Sequence, residues 1–237
     1  MIKMMNRILL GLLILTGSAC TKIDNYGEPT ASFEGRLIDA TTGQNFLTTS
    51  QGINVRLEQI SWSETPAPQD IPSKIDGSFK DSKLFPGKYR ITPMGGAFWP
   101  VLEPVELDIN KGTSHDFELT PYLIIKDFTT ELDGTDLTLR FRLDAPIGAG
   151  LPQILDVQPY VNTSAIVGGG ASIREYSEDL KVTVNKQWIN MTDMDKTMEI
   201  TVPGLLPGRI FYVRVGARLD DSYKSSNYSE IVKITVP

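Results

Sequence analysis

The most informative reactive residue in this sequence is Cys20, the only cysteine among 237 residues. It follows an apolar run, Ile8–Leu15, and three small residues, Gly17-Ser18-Ala19, and two basic residues precede the run. A basic start, a short apolar segment and small residues make up a secretory signal, which we predict over residues 1–19. The apolar run is far too short to span a bilayer, which takes about 20 residues.

A small-residue stretch that ends in cysteine resembles a bacterial lipobox, in which lipid is attached to the thiol and cleavage follows on its N-terminal side. The resemblance implies that Cys20 begins the mature chain and holds it to a membrane through its lipid. The match is imperfect, because Gly17 stands where a branched apolar residue is usual. The alternative is an ordinary cleaved signal peptide, with a Cys20 thiol that carries no lipid. Thr21–Glu28 has no periodic pattern, so residues 20–28 are predicted to be a lipid-anchored tether.

The charge of the mature chain excludes one class of partner. Removal of residues 1–19 leaves 21 basic and 29 acidic side chains, a net charge of −8. Nucleic-acid binding needs a basic surface that neutralises phosphates, so no nucleic-acid partner is predicted. With its single cysteine used as an anchor the chain has no disulfide, and its stability must come from apolar burial.

Histidine and cysteine chemistry is nearly absent from the sequence. His115 is the only histidine, and it lies beside the predicted strand Asp116–Leu119. A zinc site needs several His, Cys or carboxylate ligands, and a serine triad needs a histidine in a defined setting. We therefore predict His115 to be a partly exposed strand residue, and we predict no catalytic residue, no metal and no cofactor.

Acidic and glycine-rich segments leave other chemistry to weigh. A glycosidase needs only two facing carboxylates, so a hydrolase stays an open alternative. Asp193 and Asp195, with Asn190 nearby, resemble a calcium loop but lack the downstream glycine and bidentate glutamate, and a solvated loop is predicted. Gly168-Gly169-Gly170 has no following lysine of a phosphate loop, and a mobile loop or strand break is predicted.

Exposed aromatic residues are the remaining functional signal. Trp62 lies in the Pro-rich segment Ser61–Asp70, and Trp99 lies in Gly95–Pro100, both outside alternating strands. An indole ring can stack on the apolar face of a sugar while polar neighbours bind its hydroxyls, and loops are where binding residues tend to lie. Trp62 and Trp99 are thus the candidate glycan-binding residues. The alternative is that each caps its own domain. Trp188 could belong to the core or to a loop, and the core is favoured.

Alternation of apolar and polar residues predicts an all-β fold. The pattern recurs along the mature chain in five clear stretches, which start at Ile53, Val105, Leu137, Met198 and Phe211. Strands with this alternation form antiparallel sheets that have one buried face and one solvent-exposed face. The best helical candidate, Ile173–Leu180, is short enough to be a turn or a loop helix. We predict two consecutive antiparallel β-sandwich domains, with a boundary near Thr120-Pro121.

The first predicted domain, residues 29–120, carries three motifs in order, namely Gly35-Arg36-Leu37-Ile38-Asp39 with Thr42-Gly43, Asp76-Gly77-Ser78-Phe79, and Leu84-Phe85-Pro86-Gly87-Lys88-Tyr89. Their order resembles the carboxypeptidase-regulatory-like, prealbumin-like sandwich. Pro86-Gly87 is a typical turn pair, and we predict that it delivers Tyr89 and Ile91 into a core strand.

The second predicted domain, residues 121–237, resembles a fibronectin type III or immunoglobulin-like sandwich through the stretch Leu205–Ala217. In such domains a tyrosine near the start of the sixth strand bonds back to the corner backbone, and Tyr212 stands where this tyrosine corner is expected. The absence of a cysteine pair favours a fibronectin-like core.

The whole chain resembles two-domain Bacteroidetes lipoproteins grouped as domain-of-unknown-function family 3823. Four segments carry this resemblance, namely Cys20 with Ile23-Asp24-Asn25-Tyr26, Asn54-Val55-Arg56-Leu57, Ser61-Trp62-Ser63 and Phe98-Trp99-Pro100. The family is associated with loci for TonB-dependent glycan uptake, beside a transporter and its substrate-binding lipoprotein. The resemblance implies an outer-membrane, surface-exposed lipoprotein.

Three functions follow as hypotheses. The first is a noncatalytic glycan-binding or accessory component of a TonB-dependent polysaccharide-uptake system. The second is a structural, assembly or adhesin-type lipoprotein that binds protein and has no glycan site. The third is a glycan hydrolase that uses paired carboxylates.

Overall fold

The computed structural model describes residues 27–237, so the predicted signal peptide, the lipidation residue Cys20 and most of the tether lie outside the described residues. Among residues 27–237, no helix is long and apolar enough to cross a membrane. The described chain is mostly strand, which confirms the predicted all-β fold. The strands are β1 (Ala31–Asp39), β2 (Asn54–Glu58), β3 (Gln69–Pro72), β4 (Ser78–Leu84), β5 (Gly87–Met94), β6 (Val105–Ile109), β7 (Thr113–Ser114), β8 (Phe117–Leu119), β9 (Ile124–Asp133), β10 (Asp136–Asp144), β11 (Ile154–Asn162), β12 (Val182–Lys186), β13 (Thr197–Val202), β14 (Ile210–Leu219), β15 (Ser226–Tyr228) and β16 (Val232–Thr235).

The first domain is a sandwich of two four-stranded sheets. One sheet has the order β3-β2-β5-β6 and is antiparallel throughout. In the other, β1 pairs antiparallel with β4 but parallel with β7 and then β8, a departure from the predicted antiparallel pattern. Alternating residues of both sheets fill the core, including Phe33, Val55, Leu57, Phe79 and Ile91.

Gly35 lies where the chain passes from β7 to β8 along the edge of β1. The backbone N–H of His115 donates to the carbonyl of Glu34 at 3.1 Å, which brings the crossing chain directly over Gly35. A Cβ at Gly35 would lie 1.8 Å from the His115 carbonyl oxygen. A glycine is therefore required at position 35, the start of the first of the three motifs, because another part of the backbone approaches it closely.

The second domain packs a three-stranded sheet against a five-stranded sheet. The smaller sheet has the order β13-β10-β9, and the larger runs β12-β11-β14-β15, with β16 also paired to β14. Strand β10 follows its sequence pattern closely, because Leu137, Leu139, Phe141 and Leu143 are all buried. The predicted loop helix Ile173–Leu180 is two short 3-10 helices, Arg174–Tyr176 and Glu178–Leu180.

Buried hydrogen bonds join the two domains. The side-chain amide of Asn227 donates to the Ala97 carbonyl at 2.8 Å, and its oxygen accepts from the Leu123 N–H at 2.9 Å. The guanidinium of Arg214 donates to the Thr48 carbonyl at 2.8 Å. These contacts fix the second sandwich against the loops of the first.

Candidate functional site

The loop that follows β2 presents Trp62 at one end of the first domain. Trp62 donates its backbone N–H to the Gln59 carbonyl at 3.1 Å, which closes a turn. Ser61 ties this turn to β5 from both sides, because its N–H donates to the Lys88 carbonyl and its hydroxyl accepts from the Lys88 N–H. The backbone of the loop is thus held in place while the indole faces solvent.

Trp62 and Phe85 flank an open groove, hereafter the Trp62 groove. The Trp62 side chain is 66% exposed and that of Phe85 is 45% exposed. The groove has a volume of about 820 Å³, and Glu28, Gln59 and Pro86 contribute to its lining. Two exposed aromatic rings beside one amide and one carboxylate form a mixed surface, with an apolar face and hydrogen-bonding groups at its margin.

The motif around Pro86 builds the other wall of the Trp62 groove. Tyr89 and Ile91 are buried in the core, as the turn pattern predicts, and the Tyr89 hydroxyl donates to the Phe85 carbonyl at 2.8 Å. Burial raises the pKa of the Tyr89 hydroxyl, so it stays protonated as a donor. A Cβ at Gly87 would lie 2.4 Å from the Ser61 hydroxyl oxygen, so this glycine lets the Trp62 loop approach.

The side chains of the Trp62 groove are suited to binding a ligand that has an apolar face and hydroxyl groups. A pyranose ring can place its C–H face on the indole while the Gln59 amide and the Glu28 carboxylate bind hydroxyls. Among residues 27–237, Glu28 is the carboxylate that lines this groove. A glycosidase requires two carboxylates, one on each side of the scissile bond, and the described lining holds one.

Trp99, the other predicted glycan residue, lies at the opposite end of β5 and is packed rather than presented. Its ring is half-buried against the core of the second domain and contacts Tyr122 edge-on at 5.3 Å between centroids. The indole Nε1 is buried and has no hydrogen-bond partner among residues 27–237. Trp62 and Trp99 therefore do not form one site. The expectation of two exposed tryptophans is corrected, because the second domain covers Trp99.

The structure also departs from the predicted tyrosine corner. Tyr212 lies on the face of β14 opposite to the core residues Phe211 and Val213, and it makes no corner hydrogen bond within the described residues. The tyrosine that bonds to this corner is Tyr176, whose hydroxyl donates to the Gly204 carbonyl at 3.2 Å. Its ring packs edge-on against Phe211 at 6.0 Å. The tyrosine corner predicted at Tyr212 is therefore not formed within residues 27–237, and Tyr176 from another element supplies the hydrogen bond to this loop.

Replacement of Tyr176 by phenylalanine is expected to lower the free energy of unfolding by about 1 kcal/mol, the usual net value of one buried hydrogen bond. Tyr212→Phe is the matched control and is expected to change stability by less than about 0.5 kcal/mol. Urea denaturation of the two variants would measure both values. An equal loss in both variants would contradict this role of Tyr176.

The remaining sequence candidates have structural roles. His115 is partly exposed and its ring contacts Phe117 at 4.7 Å. Asp195 caps the short helix α1 (Asp193–Lys196), and hydrogen bonds from Lys186 and from the Thr192 backbone and hydroxyl lower its pKa to about 2. These contacts use the Asp195 carboxylate within the protein.

The glycine-rich segment forms a turn whose first glycine is buried and whose other two are exposed. Gly168 and Ala171 form a β-bridge, and Gly168 is buried. A Cβ at Gly168 would lie 2.5 Å from the Thr49 methyl group of the first domain. The turn thus forms part of the contact between domains, and of the two predicted alternatives it fits a break between strands.

Arg214 is the buried charge that sequence reasoning missed. Its side chain is 1% exposed and stacks on the Tyr228 ring at 4.2 Å, and its Nε and Nη2 atoms have no hydrogen-bond partner among the described residues. Burial lowers the pKa of the guanidinium to about 10. An arginine in an alternating strand predicts a solvent-facing side chain, so no signal in the sequence marked it.

A second opening lies between the domains, hereafter the acidic cleft. It has a volume of about 380 Å³, and Asp39, Asp127 and Glu230 are among its lining residues. No three His, Cys, Asp or Glu side chains within residues 27–237 are close enough together to hold a metal ion. Hydrolysis by paired acids, which the sequence assigns to no particular site, stays a prediction, and chromatography of glycans incubated with the protein would detect its products.

The fold and the exposed groove define a two-domain β-sandwich protein with an aromatic surface groove. The chain belongs to the DUF3823 family. Residues 31–120 match the "Protein of unknown function (DUF3823) N-terminal domain", and residues 123–233 match the "Domain of unknown function (DUF3823_C)". The family predicted from the sequence is confirmed.

Solved structures of similar proteins share this architecture. A DUF3823 family protein from Bacteroides uniformis superposes with a TM-score of 0.77 at 24% identity, covering 88% of this chain and 100% of its own. A second structure from that species, described as a "putative carbohydrate binding protein", has a TM-score of 0.72 at 19% identity, with the same coverage. A DUF3823 family protein from Parabacteroides merdae gives 0.67 at 18%, again over 88% and 100% of the two chains. At these identities the likeness shows the fold. No curated protein sequence is significantly similar to this chain.

Proposed function

We propose that this protein is a noncatalytic glycan-binding lipoprotein of the outer membrane, held there by lipid on Cys20. It serves as an accessory component of TonB-dependent polysaccharide uptake, beside a transporter and its substrate-binding lipoprotein. The observation that carries the glycan-binding part is the exposed Trp62 indole beside Phe85 in an open groove. The carbohydrate-binding description of one structural relative agrees with this proposal.

The position of the Trp62 groove supports a role close to the membrane. Gly27 and Glu28 line the groove, and Gly27 is seven residues after Cys20. Seven residues of extended chain span at most about 25 Å. With lipid on Cys20, a glycan in this groove is held within that distance of the anchor, where a membrane transporter can take it up.

Trp62→Ala is expected to weaken glycan binding about tenfold, because it removes the stacking face without disturbing the core. The melting temperature should change by less than about 1 °C, since the side chain is mostly exposed. Affinity electrophoresis in gels containing xylan, mannan, β-glucan, pectin or starch would measure retention. Leu102→Ala is the matched control, because it also removes an exposed apolar side chain from the first domain.

Two results would contradict the glycan-binding proposal. If none of the five polysaccharides retards the wild-type protein, the glycan-binding function fails. If a polysaccharide retards wild type and Trp62→Ala equally, the binding surface lies elsewhere and the role of Trp62 is lost.

A protein-binding role is the second candidate function. The observation that favours it is the exposure of Met194 and Ile189, which are 85% and 80% accessible in the second domain. Exposed apolar side chains mark a protein contact site where they form a contiguous patch, and these two lie five residues apart in one segment. Pull-down from detergent-solubilised envelopes, with and without added polysaccharide, would separate this role from glycan binding, because only a protein contact persists without sugar.

A further inference from the structure

The junction of the two domains forms another groove, hereafter the junction groove. One wall is the end of β5 with Gly95 and Gly96, and the other is the second-domain loop that carries Tyr223. Its volume is about 320 Å³, and the Tyr223 ring is 54% exposed. An exposed aromatic ring over a concave, mostly apolar floor repeats the arrangement of the Trp62 groove with different residues.

We propose that the junction groove is a second carbohydrate site, which takes a neutral sugar ring of the same oligosaccharide that occupies the Trp62 groove. The inference rests on the proposed glycan-binding function but on separate residues. Tyr223 supplies the stacking face, and Asp221 and Ser222 supply the polar groups.

The polar side of the junction groove is held in a fixed geometry. The Asp221 carboxylate accepts from the Ser225 N–H at 2.7 Å and from the Ser225 hydroxyl at 2.8 Å, so the loop is locked at its base. On the opposite wall, no atom of the described residues, apart from the chain neighbours, would lie within 4 Å of a Cβ built at Gly95, so the backbone there is open to a ligand. A fixed loop facing an accessible backbone suits recognition of sugar hydroxyls from two sides.

The charges near the junction groove favour an uncharged ring. Arg56 makes two hydrogen bonds with Asp70, each 2.8 Å long, so the carboxylate of a uronic acid would have to compete with Asp70. These bonds raise the pKa of Arg56. Arg56 pairs across the sheet with Thr92, which lines the junction groove. Asp221 adds a negative charge that disfavours an anionic sugar.

The two grooves lie at opposite ends of β5. Strand β5 has eight residues, which at about 3.3 Å per residue places its ends about 23 Å apart. The sheet face between them carries the ion pairs Lys88–Glu106 and Arg90–Glu58, which are polar partners for hydroxyl groups. A ligand that reaches both grooves is therefore an oligosaccharide of several rings.

The three tryptophans provide a built-in test by fluorine NMR of protein labelled with 5-fluorotryptophan. Trp62 reports on its own groove, and Trp99 reports on the junction groove through its contact with Tyr122, which lines it. Trp188, beneath Lys196 in the second domain, is the internal control. The probes are the neutral hexasaccharides of cellulose, xylan, mannan, laminarin and amylose, titrated one at a time.

We expect one of these hexasaccharides to shift the Trp62 and Trp99 resonances with a single dissociation constant, while Trp188 stays unchanged. Tyr223→Ala should raise that constant about five- to tenfold and abolish the Trp99 shift, whereas Tyr223→Phe keeps the ring and should bind like wild type. Because Tyr223 is exposed, both variants are expected to fold.

The other outcomes separate the two proposals. A shift at Trp62 alone, unaffected by Tyr223→Ala, overturns the second site and leaves the glycan-binding function standing. A shift at Trp99 alone overturns the role of Trp62 and supports the junction groove. If no hexasaccharide shifts either resonance, both proposals fail.

Discussion

Gly35→Ala is expected to prevent the first domain from reaching its native fold. The new Cβ would lie 1.8 Å from the His115 carbonyl oxygen and 2.8 Å from the Phe79 ring. The first of these atoms belongs to backbone, which a rotamer change cannot move away, so β1 must separate from the chain that crosses it. We expect a loss of at least about 4 kcal/mol, beyond the range of ordinary substitutions. Urea denaturation and circular dichroism would measure it.

Gly27→Ala is the matched control for this prediction. Among the described residues, and apart from its chain neighbours, no atom would lie within 4 Å of a Cβ at Gly27, so the same chemical change should leave the free energy of unfolding within about 0.5 kcal/mol of wild type. Native-like stability of Gly35→Ala would show that β1 tolerates a side chain at the crossing. The explanation that close backbone approach requires glycine at position 35 would then be wrong.

Asn227→Asp is expected to lower the free energy of unfolding by about 3–5 kcal/mol at pH 7, because it buries an unpaired charge between the domains. The native amide donates to the Ala97 carbonyl and accepts from the Leu123 N–H. A carboxylate keeps the second bond but turns an oxygen toward the Ala97 carbonyl. Comparing urea denaturation at pH 7 with that of wild type would measure the loss.

The pH dependence of Asn227→Asp provides an independent check. Burial raises the pKa of the introduced carboxyl above its unfolded value, so the folded state binds more protons and the defect grows as pH rises. Near pH 4 the protonated acid can donate to the Ala97 carbonyl again. The difference in the free energy of unfolding between the variant and wild type should therefore become smaller. Asn45→Asp is the control, because Asn45 bonds to the Asp76 carbonyl at a more exposed position. A loss of stability in Asn227→Asp that did not depend on pH would contradict this explanation.

The Asn227 prediction bears on binding as well as on stability. Asn227 holds Ala97 and Leu123, which are close in sequence to residues that line the junction groove. A variant that loosens this contact should therefore disturb the junction groove more than the Trp62 groove, which lies at the far end of β5. The same fluorine resonances would show the difference.

The sequence by itself determined the features that depend on local pattern. Alternation in β10 and β14 predicted strands with one buried face, because a side chain two residues away along a strand points to the same side. The turn pair Pro86-Gly87 likewise predicted burial of Tyr89 and Ile91. The exposure of Trp62 followed from the Pro-rich loop that carries it. These properties are set by neighbours within a few residues, so they can be read directly along the chain.

The tertiary structure alone decided which surfaces the two sandwiches cover. Trp99 and Arg214 occupy positions that predict exposure, yet the packing of one domain on the other buries both, wholly or in part. Tyr176 rather than Tyr212 makes the hydrogen bond to the Gly204 carbonyl, because Tyr212 lies on the face of β14 that points away from the core. The junction groove also exists only once Tyr223 and Gly95, 128 residues apart in the sequence, are brought together. Contacts between residues so distant in sequence depend on how whole sheets pack, which no local spacing encodes.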